Sequence, residues 1–291
     1  MVKVRVPATS ANLGCGFDCL GIALSLYTTF TFEEIENGLV FCGFEEKYSN
    51  TDNLVYKGFL KALKFLNKKV KGVKITVDCN IPVSRGLGSS ATCVVGGIYG
   101  AYALTGESIN KDDVFRIATE IEGHPDNVSP AIFGGLSASC IFENKPLTVH
   151  YDIDERFLFQ ALIPNFETET VDARKVLPKM VSHEDSIYTL SRLSIVLKAF
   201  ETYDINLLNK VMDDKLHEPY RKKLIHEYEE VREICESVDS VCFMISGSGS
   251  TLINILREEE NIYEIEEKLK KLSYKWEALL LHVDKVGTII Y

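Results

Sequence analysis

Pro82-Val83-Ser84-Arg85-Gly86-Leu87-Gly88-Ser89-Ser90-Ala91 stands between a strand-like run, Val73 to Cys79, and an apolar small-residue stretch, Ala91 to Leu104, that reads as a helix stopped by Gly106. Glycines let backbone N–H groups come close to a ligand, and the helix start that follows adds unpaired donors and positive dipole. The segment therefore reads as an anion site with phosphate as its occupant. A P-loop would need G-x-x-x-x-G-K-[ST], and the chain has no Gly-Lys dipeptide. A Rossmann fingerprint fits the spelling Gly86 to Ala91, but it needs its glycines at the strand-to-helix turn, and here Pro82 intervenes. The alternative that needs no ligand is a Gly/Ser turn capping a buried helix.

Outward from this loop, the pattern is of strands and helices without strict βαβ alternation. Val2 to Val6 alternate and Pro7 ends the run, the Asn12 to Gly21 stretch is turn-like, and Ile22 to Glu34 is strand-rich. Leu54 to Leu66 has helical spacing with Asn53 placed to cap it, and Asp112 to Glu122 reads as another helix. An irregular connector, His124 to Pro130, leads through a helical turn to the strand Leu136 to Phe142. The second half opens with the strand Phe157 to Pro164 and continues through helical stretches from about Thr170 to Ser237. It closes with the strand Val241 to Ser246, a helix near Glu260 to Leu272, and strands over 276 to 290. At 291 residues the chain exceeds the usual single core, so the expectation is an α+β, two-lobed architecture divided near residue 150, as 1–150 and 151–291.

Composition narrows the function. Hydrophobic residues make up 46% and charged residues 25%, the profile of an ordinary globular protein. The net charge of −10 argues against nucleic acid as a partner, because phosphate-backbone binding rests on clustered Lys and Arg. An anionic ligand must then be held by a few local positive groups and backbone amides. Eight scattered cysteines without a C-x-x-C pair read as free thiols in a reducing compartment. No apolar signal core and no window of about 20 uncharged apolar residues appears, so the expectation is a cytoplasmic chain with no membrane partner. H-E-x-x-H and G-x-S-x-G are absent, and the six histidines are scattered, which removes zinc and serine hydrolase readings.

Further motifs accompany the loop in order. They are Pro7-Ala8-Thr9-Ser10-Ala11-Asn12-Leu13-Gly14-Cys15-Gly16-Phe17-Asp18, Glu122-Gly123-His124-Pro125-Asp126-Asn127-Val128 and Ser246-Gly247-Ser248-Gly249-Ser250. Together with Pro82 to Ala91 they resemble the homoserine kinases of the GHMP kinase family. Thr170-Val171-Asp172-Ala173-Arg174-Lys175-Val176-Leu177-Pro178 and Glu218-Pro219-Tyr220-Arg221 resemble two more stretches of that family. The chain departs from the family pattern at Cys15 and Ser250, where the family usually carries proline, and both positions lie in motif loops.

The resemblance implies a two-lobed GHMP fold whose N-terminal lobe carries the phosphate loop and whose C-terminal lobe is ferredoxin-like. It implies transfer of the γ-phosphoryl group of ATP to the hydroxyl of L-homoserine, in threonine synthesis, with ATP and Mg²⁺ as cofactors and a homodimer as the assembly. Pro82 to Ala91 would cradle phosphate, Asn53 and Tyr56 would lie near the nucleotide base, and Ser90 and Glu122 would hold Mg²⁺, with Ser89 an alternative to Ser90. One hydroxyl and one carboxylate suit the water-rich shell of that ion. An amino-acid acceptor needs an Arg fork for its carboxylate, here Arg174 and Arg221. Asn12, Asp18 and His124 would meet its amine and hydroxyl end, with Asn127 nearby and Thr170 close to the transferred phosphoryl group. Asn12, Asn127, Thr170 and Arg174 are the catalytic candidates.

Plainer roles stand beside these. Asn12 and Asp18 could organise a turn, Asn53 could only cap its helix, His124 could be an ordinary loop histidine, and Arg221 could belong to a solvated basic run with Lys222 and Lys223. No general base is singled out, since an aspartate tied to an ammonium is a poor one. The expected mechanism therefore has no dedicated strong base. Alternative readings are another GHMP kinase, acting on mevalonate or a sugar, and a non-catalytic GHMP-fold binding protein.

Overall fold

The apolar runs sort into two sheets, and what each strand buries explains its sequence. The computed structural model describes residues 1–238 and 240–291. In chain order the first lobe contains β1 (Val2–Ala11), β2 (Leu20–Glu34), β3 (Gly38–Cys42), α1 (Leu54–Phe65), β4 (Gly72–Cys79), α2 (Ser89–Thr105), α3 (Lys111–Glu122), α4 (Val128–Phe133), β5 (Leu136–Phe142) and β6 (Lys145–Tyr151). The rest comprises β7 (Leu158–Pro164), α5 (Thr170–Lys175), α6 (His183–Thr202), α7 (Ile205–Val211), α8 (Glu218–Arg221), α9 (Tyr228–Glu236), β8 (Ser240–Ile245), β9 (Leu252–Leu256), α10 (Asn261–Leu269), β10 (Trp276–Leu281) and β11 (Ile289–Ile290). This is the α+β content that the sequence implies.

The first sheet runs β11-β1-β2-β4-β3, with β5 pairing β2 and β6 pairing β5. Alternate residues of β1, β2 and β4, among them Val4, Val6, Phe30, Phe32 and Ile75, are buried against α1 to α4. α2 is apolar around most of its circumference because it lies between the sheet and its neighbouring helices, so it shows little of the one-sided pattern of a surface helix. The second sheet runs β10-β7-β9-β8, wholly antiparallel. Its strand–helix–strand–strand–helix–strand order is ferredoxin-like. Both of its faces are covered. Phe159, Ala161, Ile253 and Ile255 point into a core shared with Leu20, Ile22 and Leu24 of β2. Leu162, Leu252 and Leu256 point to a separate core with α9 and α10. A one-residue slip would exchange the two faces, so the period of two sets the register.

Several elements differ from expectation. Pro7 does not end β1. Pairing jumps from Pro7↔Tyr27 to Ala8↔Leu24, so Ser25 and Leu26 bulge out of β2 opposite a residue that has no N–H to give. The freed Ser25 N–H donates to the His282 carbonyl (2.8 Å) of the chain leaving β10, so the bulge ties the two sheets together. Of the strand-like residues 276 to 290, Trp276–Leu281 join the second sheet, whereas Ile289–Ile290 return to pair β1. Strands β3 and β6, short and half exposed, carry too little apolar alternation to be read from sequence. α2 begins at Ser89, two residues before the expected start, and α4 takes in Val128 to Pro130 from the expected connector.

Candidate active site

The glycine-rich loop over 82–91 is held by two other motifs. Gly88 caps α2 with φ +69°, and no side chain satisfies the first N–H groups of this 17-residue helix, which therefore face the cleft. Gly86 has φ +80°, and a Cβ there would lie 2.2 Å from the Ser246 carbonyl and 2.7 Å from that of Gly249. The Ser246 hydroxyl donates to the Gly86 carbonyl (2.7 Å) and lies 2.8 Å from the Ser10 hydroxyl. The Thr251 N–H donates to the Arg85 carbonyl (2.9 Å), and the Thr9 N–H to that of Leu87 (3.2 Å). Segments near residues 10, 86 and 247 thus form one backbone-to-backbone assembly that only glycine permits at its centre.

A cleft of about 330 Å³ opens in front of this assembly. Every substrate-binding and catalytic candidate of the sequence lines it: Asn12, Asp18, His124, Asn127, Thr170, Arg174 and Arg221. Ser90 and Glu122, expected to hold metal, line it as well. A second cavity of about 600 Å³, lined by Phe44, Tyr48 and Val77 among others, meets it at Leu54, Ser84, Ser89 and Ser90. Asn53 lines the second cavity, but its polar atoms are used locally. Its Oδ1 accepts from the N–H groups of Val55 (2.9 Å) and Tyr56 (3.3 Å), and its Nδ2 donates to the Tyr48 carbonyl (2.8 Å). Tyr56 packs edge-on to Phe41.

The loop after β1 is shaped by left-handed residues, with φ of 73° at Asn12 and 52° at Asp18. Asn12 Oδ1 accepts from the Asp18 N–H (3.0 Å), and its Nδ2 donates to the Gly247 carbonyl (2.7 Å). Asn12 therefore both builds the turn and anchors the glycine loop. The Asp18 carboxylate receives both terminal nitrogens of Arg174, each at 3.0 Å, a bidentate pair that crosses the cleft. That hydrogen bonding holds Arg174 even more firmly protonated than usual.

Arg221 is only 2% exposed. Its Nη1 donates to the Gly247 carbonyl (3.0 Å), its Nε to that of Ala173 (3.3 Å), and its guanidinium lies over the Phe17 ring at 4.9 Å. Burial lowers its pKa from the ordinary arginine value. The basic run divides accordingly, for Lys222 turns outward to pair with Glu229. His124 Nδ1 pairs with Asp126 Oδ1 at 2.8 Å, and that bond raises the histidine pKa. The Thr170 hydroxyl lies 3.3 Å from that of Ser248, and Asn127 Oδ1 accepts from Thr9 (2.8 Å).

The Ser90 hydroxyl donates to Glu122 Oε1 at 2.6 Å, joining the first turn of α2 to the last residue of α3. Burial raises the Glu122 pKa, and among the described residues no lysine or arginine forms an ion pair with it. A carboxylate and a hydroxyl placed together with no basic partner fit a hard, oxygen-seeking cation that keeps most of its waters. No cluster of three or more His, Cys, Asp or Glu side chains is assembled for a metal among the described residues.

Sequence reasoning did not assign Asp126, Ser248 or Gly247, all of which line the cleft. All three were within reach, since each stands inside a motif named above, but only the fold shows that Asp126 is buried beside His124. Cys15 is buried and its thiol is pushed up to about 12, while the Ser250 hydroxyl donates to the Phe166 carbonyl (2.8 Å). Both departures from the motif therefore pack the site.

Glu218 carries a testable consequence. Its Oε1 accepts from the Ile245 N–H (2.8 Å) just before the glycine loop, and burial pushes its pKa up to about 8. The folded protein then binds a proton that the unfolded chain releases near the ordinary glutamate value, so this contribution to stability falls as pH rises toward 8. Glu218→Gln keeps the acceptor and removes the charge. Its melting temperature relative to the unsubstituted chain is expected to climb between pH 5 and pH 8.5, and a flat difference would refute the assignment.

Residues 53–135 match the model of the GHMP kinases N terminal domain, and residues 196–275 match that of the GHMP kinases C terminal domain. The chain is 44% identical to a homoserine kinase of Clostridium botulinum (strain 657 / Type Ba4), over all of its own length and 98% of the relative. The crystal structure of homoserine kinase from Cytophaga hutchinsonii superposes with a TM-score of 0.89 at 24% identity, covering 100% of this chain and 97% of that one. A structure of a homoserine kinase, so described with reserve, from Listeria monocytogenes gives 0.82 at 27%, covering 100% and 99%. With both family models matched in order and full-length identity of this size, the chain belongs to the GHMP kinase family.

Proposed function

We propose that this GHMP kinase transfers the γ-phosphoryl group of ATP to the side-chain hydroxyl of L-homoserine, giving O-phospho-L-homoserine and ADP for threonine synthesis. The observation that carries the reading is the cleft itself, where a glycine-lined helix N-terminus faces two arginines and an aspartate. That is a phosphate cradle opposite groups suited to a zwitterion. The identity to a homoserine kinase over the full chain points to the same acceptor.

Each residue has a task in this reading. Backbone donors of Pro82 to Ala91 hold the phosphates, and the cavity beside Asn53 takes the nucleoside. Ser90 and Glu122 hold Mg²⁺, which supplies charge neutralisation to the phosphates when bound. Arg174 and Arg221 take the acceptor carboxylate, while Asp18 and Asn12 meet its ammonium. His124, Asn127 and Thr170 orient the hydroxyl and the transferring group. The Asp18 carboxylate is engaged by two guanidinium N–H groups, which supports a binding role over that of a base. Rate enhancement then comes from positioning and electrostatic stabilisation, with the hydroxyl proton lost late and no dedicated strong base. A cytoplasmic homodimer is the cellular form we infer.

Coupled ADP-release assays with Mg-ATP against L-homoserine, mevalonate, galactose, L-serine and L-threonine test the acceptor. Turnover on homoserine well above the others is the expected result, and silence there with turnover on mevalonate or galactose would overturn it.

A further inference from the structure

Arg174 lies on α5 and Asp18 on the loop after β1, 156 residues apart in sequence, yet their side chains meet in two parallel hydrogen bonds across the cleft. Both are near 40% exposed, at 42% and 38%, and both line the cavity. Arg221 and Asp126 line the same cleft, where Asp126 acts as a charge on both arginines and Arg221 feels Asp18 as well as Arg174. Each charge of the pair is balanced by the other.

We infer that this ion pair holds, in the free protein, the two charges that an acceptor must claim, so that acceptor binding is an exchange of partners and the pair selects for zwitterions. The identity of the acceptor rests on the reading above, but the exchange follows from the cleft alone. A ligand with only a carboxylate takes Arg174 and leaves Asp18 without its bidentate partner. A ligand with only an ammonium takes Asp18 and strands Arg174 beside Arg221. A ligand with both opens the pair and satisfies each half, so rejection of single-charge ligands comes from the site's own stranded charge as well as from the missing contact.

This account differs from simple contact in one measurable way. If Asp18 only contacts the ammonium, Asp18→Asn weakens homoserine and leaves a carboxylate-only ligand unaffected. If the pair must open, the same substitution frees Arg174 and tightens the carboxylate-only ligand. Ligand-observed NMR titrations would compare the unsubstituted chain, Asp18→Asn and Arg174→Gln with L-homoserine, 4-hydroxybutyrate and 3-amino-1-propanol. Asparagine tolerates the left-handed backbone at position 18, so the loop is retained. The expected result is that Asp18→Asn tightens 4-hydroxybutyrate about two- to fivefold, the span set by a partly exposed ion pair. Arg174→Gln should tighten 3-amino-1-propanol similarly, while both variants weaken homoserine. Single-charge ligands that bind their variants no better than the unsubstituted chain, or not at all, would overturn the exchange. If homoserine neither binds nor turns over while those ligands tighten as stated, the exchange stands and the acceptor reading falls.

Discussion

Glu122→Ala is expected to lower kcat on the order of a thousandfold while leaving the fold intact, the scale seen when one preorganised charge-stabilising group is removed. The carboxylate closes α3 and contacts Ser90 at 2.6 Å, so truncation empties the seat we assign to the cation and frees one hydroxyl in the cleft. Structural damage should be small, because burial raises the Glu122 pKa and the group contributes little charge-based stability to the free protein. The check is steady-state kinetics over a range of Mg²⁺ concentration, with circular dichroism and thermal melts as controls. The metal-seat reading predicts a steeply raised Mg²⁺ requirement in Glu122→Asp, which shortens the arm but keeps the charge. Unchanged Mg²⁺ dependence in that variant, with kcat within tenfold in Glu122→Ala, would remove Glu122 from the metal.

Gly86→Ala should be the most disruptive single methyl in the molecule's active centre. The added Cβ would lie 2.2 Å from the Ser246 carbonyl oxygen and 2.7 Å from that of Gly249, both backbone atoms that cannot swing aside. The residue also sits at φ +80°, which costs a non-glycine residue about 1–2 kcal/mol before any clash. Together with overpacking of about 1–3 kcal/mol, the expected loss is about 3 kcal/mol, or about 6–12 °C in Tm for a chain of this size, with nucleotide binding abolished. Gly106→Ala is the matched control. It has φ +69° at the end of α2, but nothing lies within 4 Å of its Cβ, so it should lose only the backbone part and keep full activity. Similar losses of stability and binding in the two variants would mean that interlocking of the glycine loops is unimportant.

Motif spelling carried far in this chain because phosphate chemistry is done by backbone. A cradle made of N–H groups needs glycine at particular positions, and that need is written directly in Gly86, Gly88, Gly247 and Gly249. The helices α1 and α2 were legible for a related reason, since the Asn53 cap of α1 and the Gly106 stop of α2 act within a few positions of where they stand. β3, β6 and the return of β11 were not legible, because a short or half-exposed strand is stabilised by the partner it finds and carries little pattern of its own.

The sequence by itself determined that this chain has a glycine-rich loop opening a helix and the family it belongs to, and it named the residues we propose for phosphate and a zwitterion. Tertiary structure alone decided that Arg221 is buried under the glycine loop while Lys222 faces solvent, that Asp126 stands behind His124, and that Asp18 and Arg174 hold each other across the cleft. The division follows from range. Backbone conformation and capping are set by neighbours along the chain, whereas burial, and the meeting of Asp18 with Arg174 156 residues further on, depend on segments that only the folded packing brings together.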